Sequence, residues 1–219
     1  MIKRVAVVVV AIAVMAATVF WAGGDKASDQ AQAQTPITRQ ADGSLVLALP
    51  GVTQPVLDLY EDFDCPICRE LHGKVNPTLL KLAAQGRLKV VFHPVTIFVD
   101  EPMRSNSIRA AAAARCVPAE SWLAYREQLY GMQPEPHGTA SGFTLDELVA
   151  AGEKAGVRVT GFDACVRGQE RAAGHLKDNP QLEGTPTVLL NGQMLGDLAF
   201  DPNALEQVVA QFGGTYLES

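Results

Sequence analysis

The stretch Val56-Leu57-Asp58-Leu59-Tyr60-Glu61-Asp62-Phe63-Asp64-Cys65-Pro66-Ile67-Cys68 decides the fold, because a strand pattern runs straight into a pair of thiols. Leu57, Leu59 and Glu61 alternate with Val56, Asp58 and Tyr60, which places the two sets on opposite faces of a strand. Residues 66–85 then carry a helix signal closed by Gly86, with Pro77 expected to kink or divide the helix. Two cysteines three positions apart at a helix start lie one turn from each other. The first meets the unpaired N–H groups and the positive end of the helix dipole, which favour a thiolate. Pro66 suits the first helical position because it has no N–H to lose. Cys65 is therefore expected to be the exposed nucleophile. Cys68, one turn in, is expected to be the shielded partner that attacks a mixed disulfide. A stabilised thiolate favours the dithiol, so the corresponding disulfide would be a ready electron acceptor.

The same spacing also occurs in half of a zinc site or in a plain structural disulfide. Zinc would need two further close ligands. The other cysteines, Cys116 and Cys165, are single residues, and the chain has no H-x-x-x-H pattern. Neither a metal nor another cofactor is expected.

Working outward, residues 45–49 read as a short strand closed by Pro50-Gly51, and residues 88–92 as a strand stopped by His93-Pro94. The middle of the chain turns helical at residues 105–115, 119–130, 145–155 (opened by the capping box Thr144-Leu145-Asp146-Glu147) and 162–175. Strand character returns at residues 187–190, followed by an Asn191-Gly192 turn, a short strand near Met194 and a closing helix at 202–212. Strands on both sides of a helical block should join one sheet, which makes an α/β domain with a helical insertion, at about residues 103–180, between its central strands.

The chain has 219 residues, of which 47% are hydrophobic and 19% charged, with a formal charge of −6. Lys and Arg form no cluster beyond Lys3-Arg4, so a nucleic-acid footprint is not indicated. After Lys3-Arg4, the uncharged run Val5 to Ala22 has 18 residues, which reaches the lower end of the ~17–25 needed to span a bilayer. We read residues 1–22 as an uncleaved, single-pass membrane anchor with a cytoplasmic N-terminus. Residues 23–43 read as a flexible linker, and residues 44–219 as one extracytoplasmic domain. The alternative is a signal peptide cleaved near Ala31-Gln32-Ala33, giving a secreted or periplasmic protein, although the apolar run exceeds the usual length of such a signal.

Gly184-Thr185-Pro186-Thr187, just before the late strand, adds a second motif. With the strand–C-P-x-C–helix and the helical insert, the chain resembles the thioredoxin superfamily and within it the DsbA-like branch, over about residues 44–219. The resemblance implies a thioredoxin-like fold and a protein thiol:disulfide oxidoreductase in which Cys65 and Cys68, flanking Pro66 and Ile67, do the exchange. It also implies that Thr185–Pro186 is a cis peptide facing Cys65 and that the Thr185 backbone pairs with the substrate chain. A proline at the first residue of a strand needs no cis bond on its own account. In one respect the chain departs from the pattern. Many relatives carry an acid six positions before the first cysteine, and here that position is Leu59. Glu61, Asp62 and Asp64 stand nearer and would oppose a thiolate if close to it, or else are solvated loop charges.

With the first pair occupied by chemistry, Cys116 and Cys165 should bridge each other and tie the insert helices together. Some actinobacterial DsbA-like proteins are similar in having a second disulfide there. The alternative is a second redox pair relaying electrons, for which neither residue has a C-x-x-C partner. His72, His93, His137 and His175 have no partner evident in sequence and are set aside as surface or packing residues. Met132, Met194 and the aromatics read as core or groove lining.

The function expected from this resemblance is disulfide formation in reduced or unfolded secreted and surface proteins. A membrane partner of DsbB-like or vitamin K epoxide reductase-like type would reoxidise the chain. A reductase or isomerase would use the same residues. A non-catalytic peptide-binding module is the reading from a different class, and the intact C-P-x-C argues against it.

Overall fold

The computed structural model describes residues 35–171, 174–175, 178 and 182–214. The expected anchor at 1–22 lies outside the described residues. Among those that are described, no helix is long and apolar enough to cross a membrane.

Six strands form one sheet: β1 (Ile37–Arg39), β2 (Leu45–Leu47), β3 (Val56–Glu61), β4 (Lys89–Pro94), β5 (Thr187–Leu190) and β6 (Gln193–Met194), in the order β1-β2-β4-β3-β5-β6. Only β3 and β4 pair in parallel; the other neighbours are antiparallel. A parallel pair needs a crossover. Helix α1 (Pro66–Ala84) supplies it. Its buried Leu71, Val75, Leu79 and Leu82 form an apolar stripe at helical spacing. The helical insert follows β4 as α2 (Met103–Ala114), α3 (Ala119–Gly131), α4 (Leu145–Lys154) and α5 (Phe162–Gly168), and the described chain ends in α6 (Pro202–Gly214). Strands from before and after the insert share the sheet, so the architecture is the thioredoxin-like α/β fold with a helical insertion.

Alternation along β3 holds as expected: Leu57, Leu59 and Glu61 are buried, whereas Val56, Asp58 and Tyr60 are half-buried. Trp122, Tyr125 and Leu129 of α3 are fully buried, and the Trp122 ring meets Phe92 of β4 at 5.1 Å between centroids. The Thr144–Glu147 capping box is formed on both sides.

Four elements differ from expectation. Ile37–Arg39, inside the stretch read as linker, forms a strand paired with β2 in register Thr38↔Val46. Pro77 does not divide α1, which runs through it for 19 residues. His93-Pro94 does not stop β4, since His93 and Pro94 pair with Tyr60 and Glu61 of β3. The helix expected over 162–175 ends at Gly168, where Gln169 turns left-handed at φ 50°. Cys116 and Cys165 are joined by a disulfide with Cα atoms 5.9 Å apart, linking the residues after α2 to α5.

Candidate active site

Cys65 is the N-cap residue of α1, with extended backbone angles and Pro66 following it in the first turn. Its thiol donates to the Thr185 carbonyl at 3.4 Å, across a cis Thr185–Pro186 bond. The topology makes this meeting possible: β3 delivers Cys65 at its end, and β5, paired antiparallel to β3, begins just after Pro186. Cys65 and Cys68 are both free thiols. Exposure differs from the sequence expectation, because Cys65 has only 5% of its surface accessible and Cys68 1%. The N-cap position turns the Cys65 sulfur toward the Thr185 carbonyl, and Cys68 lies a turn deeper in the core. Ile67, between them, is half exposed.

The two thiols titrate in opposite directions. A hydrogen bond from Cys68, then one from the Thr185 side chain and those from the Cys68 and Ile67 backbone, hold Cys65 down at about 6 against the opposing effect of burial. Burial first, and then the Cys65 thiolate next to it, push Cys68 well above the ordinary thiol range. The Thr185 hydroxyl is buried and has no hydrogen-bond partner, so it is available to a Cys65 thiolate. The helix N-terminus contributes the Cys68 and Ile67 N–H groups, after the larger effects of the Cys68 and Thr185 side chains. The arrangement provides one ready nucleophile and one shielded thiol, as thiol–disulfide exchange requires.

Three acids stand just before Cys65, and all three are buried. Glu61 takes a two-pronged hydrogen bond from Arg126 of α3 at 2.7 and 2.6 Å and another from the Tyr130 hydroxyl at 2.8 Å. Arg126 also donates to Asn76 and to Nδ1 of His72, whose Nε2 meets Glu127 at 2.6 Å. A ring nitrogen that accepts from a guanidinium carries no proton, so His72 is the neutral Nε2–H tautomer. Burial and then Arg126 lower its pKa, in agreement. The network fastens the end of β3 and the first turns of α1 to the insert.

Asp62 accepts from the Asp64 N–H, the Ile97 N–H and the Ser107 hydroxyl, and so shapes the loop into α1. Burial raises its pKa to about 7 despite these donors. Burial likewise raises Asp64 to about 7, with an Asn106 hydrogen bond opposing the rise. The α3–α4 loop lies over this region. Arg109 ties it down by donating to the Gly142 and Phe143 carbonyls, and Gln133 donates to the Phe63 and Cys65 carbonyls.

Of the histidines set aside, His93 pairs with Asp58 at 2.8 Å and stacks on Tyr60, while His72 and His137 border the site. Sequence reading missed Arg126, Gln133 and His137, and left Asp62 and Asp64 undecided between loop and site. None carries a local signal, because each contacts the site from a distant segment or through burial. Among the described residues, no group of three or more His, Cys, Asp and Glu could hold a metal ion.

The sequence pattern of the family described as Thioredoxin matches residues 53–210, spanning β3, both thiols, the insert and β5. The chain belongs to the thioredoxin family. Among solved structures, this thioredoxin-family chain is similar to reduced DsbA from Mycobacterium tuberculosis (25% identity, TM-score 0.66, covering 82% of this chain and 92% of that one). It is similar in the same degree to reduced DsbG from Mycobacterium tuberculosis (26% identity, TM-score 0.66, 85% and 92%). MdbA from Actinomyces oris, a thiol-disulfide oxidoreductase, shares the fold at 22% identity, with a TM-score of 0.63 and coverage of 79% and 90%. No curated protein matches the chain significantly.

Proposed function

We propose that this chain is an extracytoplasmic protein thiol:disulfide oxidoreductase that introduces disulfides into reduced secreted or surface proteins. The observation that carries the proposal is the geometry at the head of α1: Cys65 at the N-cap with its thiol on the Thr185 carbonyl beside a cis Thr185–Pro186 bond, one turn from the buried Cys68. The similarity to DsbA-type structures and the apolar segment at residues 5–22 support it.

In the oxidised chain, a substrate thiolate attacks the Cys65 sulfur. The Cys65–Cys68 bond breaks, a substrate–Cys65 disulfide forms, and Cys68 leaves as a thiolate that takes up a proton. A second substrate thiolate then attacks the substrate sulfur of that mixed disulfide, and Cys65 leaves as a thiolate. The substrate loses two electrons and the chain gains them. Stabilising the Cys65 thiolate makes it the better leaving group and favours the reduced chain, which drives the reaction toward oxidised substrate. The Thr185 backbone and Pro186 would hold the substrate segment beside Cys65. Returning the chain to its disulfide requires an electron acceptor, for which a DsbB-like or vitamin K epoxide reductase-like membrane protein is the proposed class. Residues 1–22, acting as an anchor, would keep the chain beside such a partner.

Equilibration in glutathione buffers tests the direction. A potential toward about −120 mV supports the oxidase, and one near about −270 mV assigns the chain to reduction instead. Absence of any reversible transition would remove the enzyme reading and leave the peptide-binding one.

A further inference from the structure

Asp64 immediately precedes the nucleophile, is fully buried, and has one oxygen, Oδ2, with no hydrogen-bond partner. The other oxygen meets only a long contact from Asn106 at 3.5 Å. Opposite the free oxygen stands Nε2 of His137, at 3.6 Å, also buried and also without a hydrogen-bond partner. Two unsatisfied polar atoms facing each other at this distance in an interior are costly unless they share a charge or a proton. The rest of the imidazole reaches solvent, with a quarter of its side chain accessible. Phe98 packs against the ring at 5.4 Å between centroids. The α3–α4 loop that carries His137 is held to α2 by Asn106 and Arg109.

We propose that Asp64 and His137 hold one proton between them beside Cys65, so that a buried carboxyl does not oppose the thiolate. Whichever of the two carries that proton, the pair has no net charge. Without the imidazole, the carboxyl titrates alone and presents a negative charge to the nucleophile once it ionises. The other groups around Asp64 do not replace His137. Arg109 of α2 acts only at longer range, with its donors on Asn106 and on loop carbonyls. Asn106 is neutral, and Asp62 is a second acid occupied by Ser107 and backbone N–H groups. Burial and the Cys65 thiolate raise Asp64 to about 7 against the Asn106 hydrogen bond and Arg109. His137 acts through Asp64 and is a positioning residue. The inference rests on Cys65 being the nucleophile.

The test is the pH profile of iodoacetamide alkylation at Cys65 in the full-length reduced chain, followed by peptide mass spectrometry. His137→Gln should move the Cys65 midpoint upward by ~0.5 pH unit or more, whereas Asp64→Asn, which removes the acid that His137 offsets, should leave it at the wild-type value or below. His137→Lys, which supplies a fixed cation, should bring it back to the wild-type midpoint or below. A rise in His137→Gln that is absent from Asp64→Asn and reversed by the lysine charge identifies the shared proton, since a purely structural role does not give this pattern. Identical midpoints in all four proteins, or upward shifts in both Asp64→Asn and His137→Gln, would overturn the proposal. These titrations need no turnover, so they remain informative if the glutathione equilibrium sinks the oxidase reading.

Discussion

Cys65 and Cys68 differ in their demand for protons, and that difference has a measurable consequence. A thiol with a pKa of about 6 beside one held well above the ordinary range means that reduction near neutral pH takes up one proton, at Cys68. The potential should therefore fall by about 30 mV per pH unit above pH 6, and by about 59 mV per unit below it, where Cys65 is protonated as well. The sign follows from the protons: only the reduced form binds them, so acid raises the potential, and below its own pKa Cys65 adds a second proton to the count. An excess slope near pH 7 would report Asp62 and Asp64, which bind protons more tightly when Cys65 is a thiolate. Potentials measured from pH 5 to 8 decide this, and a constant slope of about 59 mV would place the Cys65 pKa above that range. Offered a disulfide-containing protein, Cys68→Ala should accumulate a substrate–Cys65 mixed disulfide visible by mass spectrometry, because no second thiol resolves it, and Cys65→Ala should not. Both cysteines and Thr185-Pro186 are legible in sequence because their motifs are local. The partner of Asp64 is not, since His137 arrives on a loop three helices later in the chain.

Between elements, Glu61 and Arg126 join the sheet to the insert. They stand 65 residues apart, and nothing in the neighbourhood of either announces the other. The alternation of β3 put Glu61 on the face of Leu57 and Leu59 but left its role open, because a buried acid can only be explained once its partner is in view. Arg126→Met leaves a buried carboxylate with only the Tyr130 hydroxyl, and should cost roughly 3–5 kcal/mol in urea unfolding. Glu61→Leu combined with Arg126→Met should cost much less than the two single changes added together, because no charge is left stranded. A second check concerns α4 and α5. A methyl group on Gly152 would lie 2.1 Å from the Phe162 ring, so Gly152→Ala should destabilise the chain by ~1–3 kcal/mol. Two of the elements misjudged from sequence are decided by pairing. β1 has three residues with little pattern of their own, and His93-Pro94 stays in β4 because the parallel register with β3 continues through it.

For the whole molecule, the Cys116–Cys165 bridge spans 49 residues and closes the insert on itself. Replacing both cysteines by Ala should lower stability by roughly 4 kcal/mol on the chain-entropy view, while exchange at Cys65 persists. Loss of exchange in a protein that stays folded would make the bridge a redox partner after all. The α/β class and the insertion were legible as a whole because strand and helix periodicities alternate cleanly along the chain. The sheet also has a property that matters for a protein whose proposed clients arrive unfolded. Its two margins, β1 and β6, are only three and two residues long. Extended chains seek open backbone to pair with, and short borders give them little purchase. Such a catalyst can handle aggregation-prone polypeptides repeatedly without its own sheet templating their growth.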